Sequence, residues 1–195
     1  MAVNHSPSLL NKSVEWGLVM KCSTNYFEKG NELLSQKKYA EAVQCYEKDV
    51  KNGRSINRSK VMFNMGIAYN YLGKYKKAVK CYEEALKDKN YPSPYKALNN
   101  MGNSYYRLGQ YNKALECYEN ALSFENNVSQ GNTWFNMGLI YNQLKQYDKA
   151  IKCYEKAMED KNYISLPNIW NELTRAYNKI NQVTTKQMSL QKATG

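Results

Sequence analysis

The chain is 195 residues long, 43% apolar and 23% charged, with 10 glycines and 4 prolines. That balance predicts a folded chain of about one domain and argues against β-rich and low-complexity architectures. The formal charge of +11 admits nucleic acid, anionic membrane or acidic protein segments as partners, but the lysines are spread along the chain rather than gathered in blocks, as on a lysine-rich soluble surface.

Residues 1–22 form an N-terminal segment. Glu15 interrupts its best apolar stretch, so it does not read as a secretory signal. Leu10, Val14 and Leu18 share a helical face near Trp16, which predicts a helix that caps the repeats or docks onto a partner. No run anywhere approaches the roughly 20 apolar residues of a membrane span. Cytoplasmic residence is the expectation, and with it reduced cysteines.

From residue 23 onward the chain repeats itself. Cys-Tyr-Glu occurs at Cys45, Cys81, Cys117 and Cys153, always 36 residues apart. Glycine keeps the same step at Gly30, Gly66, Gly102 and Gly138, and alanine at Ala42, Ala78, Ala114 and Ala150. Three tyrosine columns, through Tyr39, Tyr46 and Tyr69, hold 12 of the 18 tyrosines. A periodicity of this length is the signature of a repeat architecture.

The copies occupy 23–58, 59–94, 95–130 and 131–166, and each reads as helix, short turn, helix. In the second copy Met62, Met65, Tyr69 and Leu72 lie on one helical face, Gly73-Lys74 breaks the run, and Ala78, Tyr82, Ala85 and Leu86 mark the inner face of a second helix. Ser93-Pro94 reads as an N-cap and first helical residue opening the third copy. Gly66 and Ala78 supply the close crossing of the hairpin, and the tyrosine rings fill the space around it with their hydroxyls at the wet edge. Residues 167–195 hold a truncated fifth copy. There Trp170, Leu173, Ala176 and Tyr177 continue the columns, but Thr174 replaces the column glycine, so a single capping helix is expected. Thr184-Thr185-Lys186-Gln187 has capping-box form and predicts a short closing helix near 185–192.

The third copy carries Leu98, Met101-Gly102, Tyr105, Gly109-Gln110-Tyr111, Ala114, Tyr118 and Ala121-Leu122. In these residues the chain resembles the tetratricopeptide repeat family, from about Ser23 to Ile180. The resemblance implies an all-α solenoid, a right-handed superhelix of antiparallel helix pairs, with four hairpins and a C-terminal capping helix. The family's usual repeat has 34 residues. The two extra residues here fall between copies, in Lys87–Pro92 and Glu159–Ile164.

Catalysis finds no foothold. The only histidine is His5, outside the repeats, so no nucleophile–histidine pair is available in the folded body. The repeated cysteines sit one per hairpin, about 8–10 Å from hairpin to hairpin, too far to share a metal or disulfide. They read as small packing residues. The glycines are single and lie within helices, so no phosphate loop is present. Neither cofactor nor metal is implied, and the chain does not read as an enzyme.

The resemblance implies that the first helices line a concave groove. The groove set is Asn31 from the first copy; Lys60, Phe63 and Asn64 from the second; Lys96, Asn99, Asn100, Asn103 and Arg107 from the third; Phe135 and Asn136 from the fourth. Asn64, Asn100 and Asn136 form a column whose amides match peptide backbone groups, similar to the asparagine ladders of the family. The family's carboxylate clamp for chaperone tails is incomplete, because Phe27 and Asn100 stand at two of its cation positions. The expected function is a protein-interaction adaptor or scaffold that holds a peptide or protein segment, with acidic flanks favoured by Lys60, Lys96, Arg107 and Arg175. The alternatives are a structural subunit of a larger, for example cytoskeletal or ciliary, assembly, and polyanion or nucleic-acid binding through the basic surface.

Overall fold

In a computed structural model of the chain, residues 25–52, 57–128, 130–161 and 166–194 are described. The predicted cap within residues 1–22 lies outside them. The described residues form nine α-helices and no strand: α1 (Tyr26–Ser35), α2 (Tyr39–Lys51), α3 (Arg58–Tyr71), α4 (Tyr75–Leu86), α5 (Pro94–Arg107), α6 (Tyr111–Leu122), α7 (Gln130–Gln143), α8 (Tyr147–Glu159) and α9 (Leu166–Thr194). They make an all-α solenoid of four hairpins and a final helix. Each odd-numbered helix also touches the next odd-numbered one, whereas no two successive even-numbered helices meet. The hairpins therefore fan apart on the even side, and α1, α3, α5, α7 and α9 line the inner face.

Local sequence closes each hairpin in the same way. The helix stops when one residue turns left-handed: Lys37, Gly73, Gly109 and Lys145, with φ of 61°, 70°, 70° and 59°. The amide after it then bonds back to the fifth residue before, as from Lys74 to the Tyr69 carbonyl (2.9 Å) and from Gln146 to that of Tyr141 (2.8 Å). This stop satisfies carbonyls that would otherwise end the helix unpaired. Pro94 begins α5 as expected, but Ser93 makes no side-chain cap bond. Its proline supplies the helical start without it.

The core lies between the two helices of each hairpin and between hairpins. Ala42, Ala78, Ala114 and Ala150 are wholly buried, and so are Tyr46, Tyr82 and Tyr154, with Tyr118 at 1% exposure. The close crossing differs from the expected glycine–alanine contact. A Cβ added at Gly66 would meet the Tyr82 ring at 2.6 Å, and one at Gly102 the Tyr118 ring at 2.6 Å. The glycine is a socket for the tyrosine of its own hairpin. For that reason the hydroxyls of this column lie inside the fold, not at a wet edge.

Between hairpins, Tyr69 donates to Glu47 Oε1 (3.0 Å) and Tyr105 to Glu83 Oε1 (3.4 Å). The lysine ammoniums of Lys77, Lys113 and Lys149 stand over the rings of Tyr69, Tyr105 and Tyr141 at 5.4, 5.5 and 5.4 Å. In the extra length between copies, Asp88 Oδ2 accepts from Ser59 Oγ (2.8 Å) and Asp160 Oδ2 from the Gly131 amide (2.7 Å). Those carboxylates tie each linker back to the start of its own hairpin.

The C-terminus departs from expectation. No separate closing helix forms near 185–192, since α9 runs unbroken to Thr194. Thr184 and Thr185 turn their hydroxyls back to the Ile180 and Asn181 carbonyls, at 3.0 and 2.8 Å, which is an in-helix bond rather than an N-cap. Ile169, Leu173 and Ala176 bury against α8, while Trp170 and Tyr177 are 57% and 49% exposed. Thr174, in the glycine column, faces no crossing helix and bonds the Trp170 carbonyl (2.8 Å).

Candidate functional site: the inner groove

Inner helices present their side chains in rows, because residues three, four and seven apart share a face. Residues from α3, α5 and α7 meet around one open cavity of about 600 Å³. Of the residues expected in the groove, Asn100, Asn103, Arg107 and Asn136 line it, and Asn70, Tyr82 and Leu139 join them. Lys60 and Lys96 are exposed on α3 and α5, and Lys96 Nζ stands 6.0 Å from the Tyr95 ring centre. Phe63 and Phe135 are half-buried, their rings tilted against Tyr82 and Tyr154 at 5.9 and 5.7 Å. They form wall rather than free grips. Asn99 Oδ1 accepts from Thr133 Oγ1 (2.9 Å), which places its amide in the contact between α5 and α7.

The asparagine column is not uniform. Asn64 Nδ2 donates to Asn31 Oδ1 (2.8 Å) and Asn136 Nδ2 to Asn103 Oδ1 (3.0 Å). The same two oxygens accept the hydroxyls of Tyr46 (2.9 Å) and Tyr118 (2.6 Å). Asn64 and Asn136 thus fasten one inner helix to the next, whereas no bond of the Asn100 side chain is formed within the described residues. Burial raises the Tyr46, Tyr82, Tyr118 and Tyr154 hydroxyls well above the ordinary phenol range. They stay protonated; those of Tyr46 and Tyr118 donate to Asn31 and Asn103, whereas those of Tyr82 and Tyr154 meet no acceptor among the described residues. Tyr82, missed in the sequence reading of the groove, reaches its floor from α4. Its 36-residue alignment with Tyr46 was visible, but its inward direction was not.

A second cavity lies between Phe135 and Leu139 of α7 and Asn168, Glu172 and Arg175 of α9. There the acid and base satisfy one another, Arg175 Nη1 to Glu172 Oε1 at 2.9 Å. A third lies near the linker at 125–128 and the end of α8. Cys45, Cys81, Cys117 and Cys153 are buried free thiols. Burial pushes Cys81 and Cys117 up to about 12 and Cys153 to about 11, the opposite of an activated nucleophile. Among the described residues no three His, Cys, Asp or Glu converge as metal ligands, and no helix is long and apolar enough to cross a membrane.

Three family models, each described as tetratricopeptide repeat, match residues 23–49, 59–87 and 95–160. No curated protein matches the chain at a significant level. Among solved structures, a crystal structure of the MamA protein superposes with a TM-score of 0.69 at 19% identity, over 86% of this chain and 87% of that one. The C-terminal part of a TPR repeat-containing protein from Cytophaga hutchinsonii gives 0.68 at 20% identity, over 82% and 60%. The Sgt2 TPR domain from Aspergillus fumigatus gives 0.57 at 25% identity, over 65% and 82%. At such identities the likeness speaks for the fold.

Proposed function

Because the chain belongs to the tetratricopeptide repeat family, we propose that it is a non-catalytic adaptor or scaffold whose inner groove holds a segment of a partner protein. The observation that carries this reading is the open cavity spanning three inner helices. It offers amide donors between apolar walls. Asn100 and Arg107 contact the bound segment directly in this reading. Asn31, Asn64, Asn103 and Asn136 set the spacing of the inner helices, and Lys60 and Lys96 favour acidic flanks.

A second reading has support in α9. Its outward Trp170 and Tyr177, seven residues apart on one face of the helix, make an exposed aromatic pair suited to a subunit fixed in a larger assembly. One experiment separates the two. Partners captured on the full chain are re-tested with Asn100→Ala/Arg107→Ala, with Trp170→Ala/Tyr177→Ala, and with Lys76→Ala/Lys80→Ala on the outer helix α4. Loss with the first pair alone supports the groove. Loss with the second pair alone replaces it with the assembly reading. Loss with the third, together with a steep fall of affinity in salt, points to a polyanion.

A further inference from the structure

Alternate hairpin steps treat their inner polar groups differently. From the first hairpin to the second, Asn31 Oδ1 takes both the Tyr46 hydroxyl and the Asn64 amide. From the third to the fourth, Asn103 Oδ1 does the same for Tyr118 and Asn136. One side-chain oxygen thus bridges a buried phenol and the amide of the next inner helix. At the step between them, from the second hairpin to the third, the bridging position is Ile67. Tyr82 and Asn100 stand where Tyr46 and Asn64 stand, 36 residues on, and the oxygen that would join them is missing.

The consequence shows in Tyr82. It is wholly buried, and its hydroxyl has no hydrogen-bond partner among the described residues. The Asn70 side chain lies beside it but makes no bond of hydrogen-bond geometry to it, and the Asn70 oxygen accepts from Ser104 Oγ (3.0 Å). An unmet buried donor bears its full desolvation cost, so it is a place where an incoming acceptor gains most. Tyr82 is one of the residues that line the 600 Å³ cavity. Around it the lining supplies further donors: the amide groups of Asn70, Asn100 and Asn103, and the Arg107 guanidinium, which pairs with no acid among the described residues. No Asp or Glu lines this cavity. The cavity near the end of α8 contains Glu125, Glu159 and Asp160, and the one between α7 and α9 contains Glu172.

We infer that the cavity between α3 and α5 is a seat for one Asp or Glu side chain of an acidic, otherwise apolar peptide segment, whose carboxylate oxygen takes the place of the missing asparagine oxygen between Tyr82 and Asn100. This deepens the groove reading and rests on it. A carboxylate accepts only, which suits a lining of donors, and its charge faces Arg107 on a chain of net charge +11. The walls made by Ile67 and Leu139 fit the methylenes of such a side chain and the apolar residues beside it. A bare phosphate chain has nothing to lay against those walls.

The test selects a displayed library of random 12-residue peptides on the full chain and synthesises the strongest binder. The expected binder carries one Asp or Glu among apolar residues, and its Asp→Asn or Glu→Gln form binds at least tenfold more weakly. Ile67→Asn restores the internal bridge of the neighbouring steps. It should weaken the acidic peptide tenfold or more and erase the difference between acid and amide forms. A second measurement needs no ligand. Tyr46→Phe should lower the melting temperature, while Tyr82→Phe should leave it unchanged or raise it, because it removes an unmet hydroxyl. If Tyr82→Phe lowers melting as much as Tyr46→Phe, water already satisfies the hydroxyl and the inference falls. Peptides that bind without acidic preference, lose affinity with Asn100→Ala and ignore Ile67→Asn overturn the seat but keep the groove. Selected peptides indifferent to every inner-face variant overturn both. An oligonucleotide that binds wild type and is lost in Ile67→Asn gives the seat to phosphate and overturns the carboxylate assignment.

Discussion

Gly102→Ala adds a single methyl group where the fold leaves no room. The new Cβ would lie 2.6, 2.8 and 2.9 Å from Cε1, Cδ1 and Cζ of Tyr118. Ordinary contact between carbons begins near about 3.5 Å, so ring or helix must give by nearly 1 Å. The ring cannot yield easily. It is 1% exposed, and its hydroxyl is held 2.6 Å from Asn103 Oδ1, which is also bound to Asn136 on the next hairpin. Overpacking of this kind costs about 1–3 kcal/mol. Against it stands a gain of about 1 kcal/mol from replacing a mid-helix glycine by alanine. The expected net effect is a loss of up to about 2 kcal/mol, read from urea unfolding followed by circular dichroism at the helical band. A double-mutant cycle isolates the cause. In a Tyr118→Leu background the clash is gone, so Gly102→Ala should become neutral or stabilising, and the coupling between the sites should exceed about 1 kcal/mol. A raised stability of Gly102→Ala in the wild-type background, or a coupling near zero in the cycle, would refute the socket and the register on which it depends.

Lys145→Gly should raise stability by about 1 kcal/mol, because a left-handed φ of 59° strains any residue with a Cβ; a fall in the melting temperature would contradict this. Alkaline pH should destabilise the fold. Burial raises Cys81 and Cys117 to about 12 and Tyr69 also to about 12, so the native state holds protons that the unfolded chain has released. Stability is therefore full below pH ~9, where the unfolded thiol titrates, and falls as pH rises toward 12, by up to about 1.4 kcal/mol per pH unit for each thiol. A melting temperature flat from pH 8 to 11 would count against buried thiols. Finally, Asn136→Ala should cost about 1 kcal/mol through its lost bond to Asn103, whereas Asn100→Ala should melt like wild type. Equal losses would mean that the two amides have the same surroundings.

Most of the architecture was legible in the residues because it is written four times. The 36-residue step of Gly, Ala, Tyr and Cys-Tyr-Glu fixed the helical hairpins, their order and the inner set of helices, since each helix needs only its neighbours to bury its face. The buried thiols followed from the same columns. Local signals at element ends were weaker guides. Ser93 looked like a cap and caps nothing, and the Thr184 box lies inside a continuous helix, because a hydroxyl can bond its own helix as readily as a free amide.

What the sequence could not decide was which small spaces the rings would take. Glycine beside alanine suggested two backbones in contact, but the approach of α5 and α6 is set by a tyrosine ring lying in the glycine socket. The column of Asn64, Asn100 and Asn136 looked uniform for a similar reason. The partners of Asn64 and Asn136 come from the previous hairpin, 33 residues earlier, and the alternation of Asn31, Ile67, Asn103 and Leu139 acquires meaning only when those positions are folded against the tyrosines. Periodicity determined the scaffold, because helical propensity and apolar spacing are local. Tertiary packing decided which polar groups are spent on the scaffold and which remain for a partner, because a hydrogen bond between hairpins depends on atoms far apart in the chain.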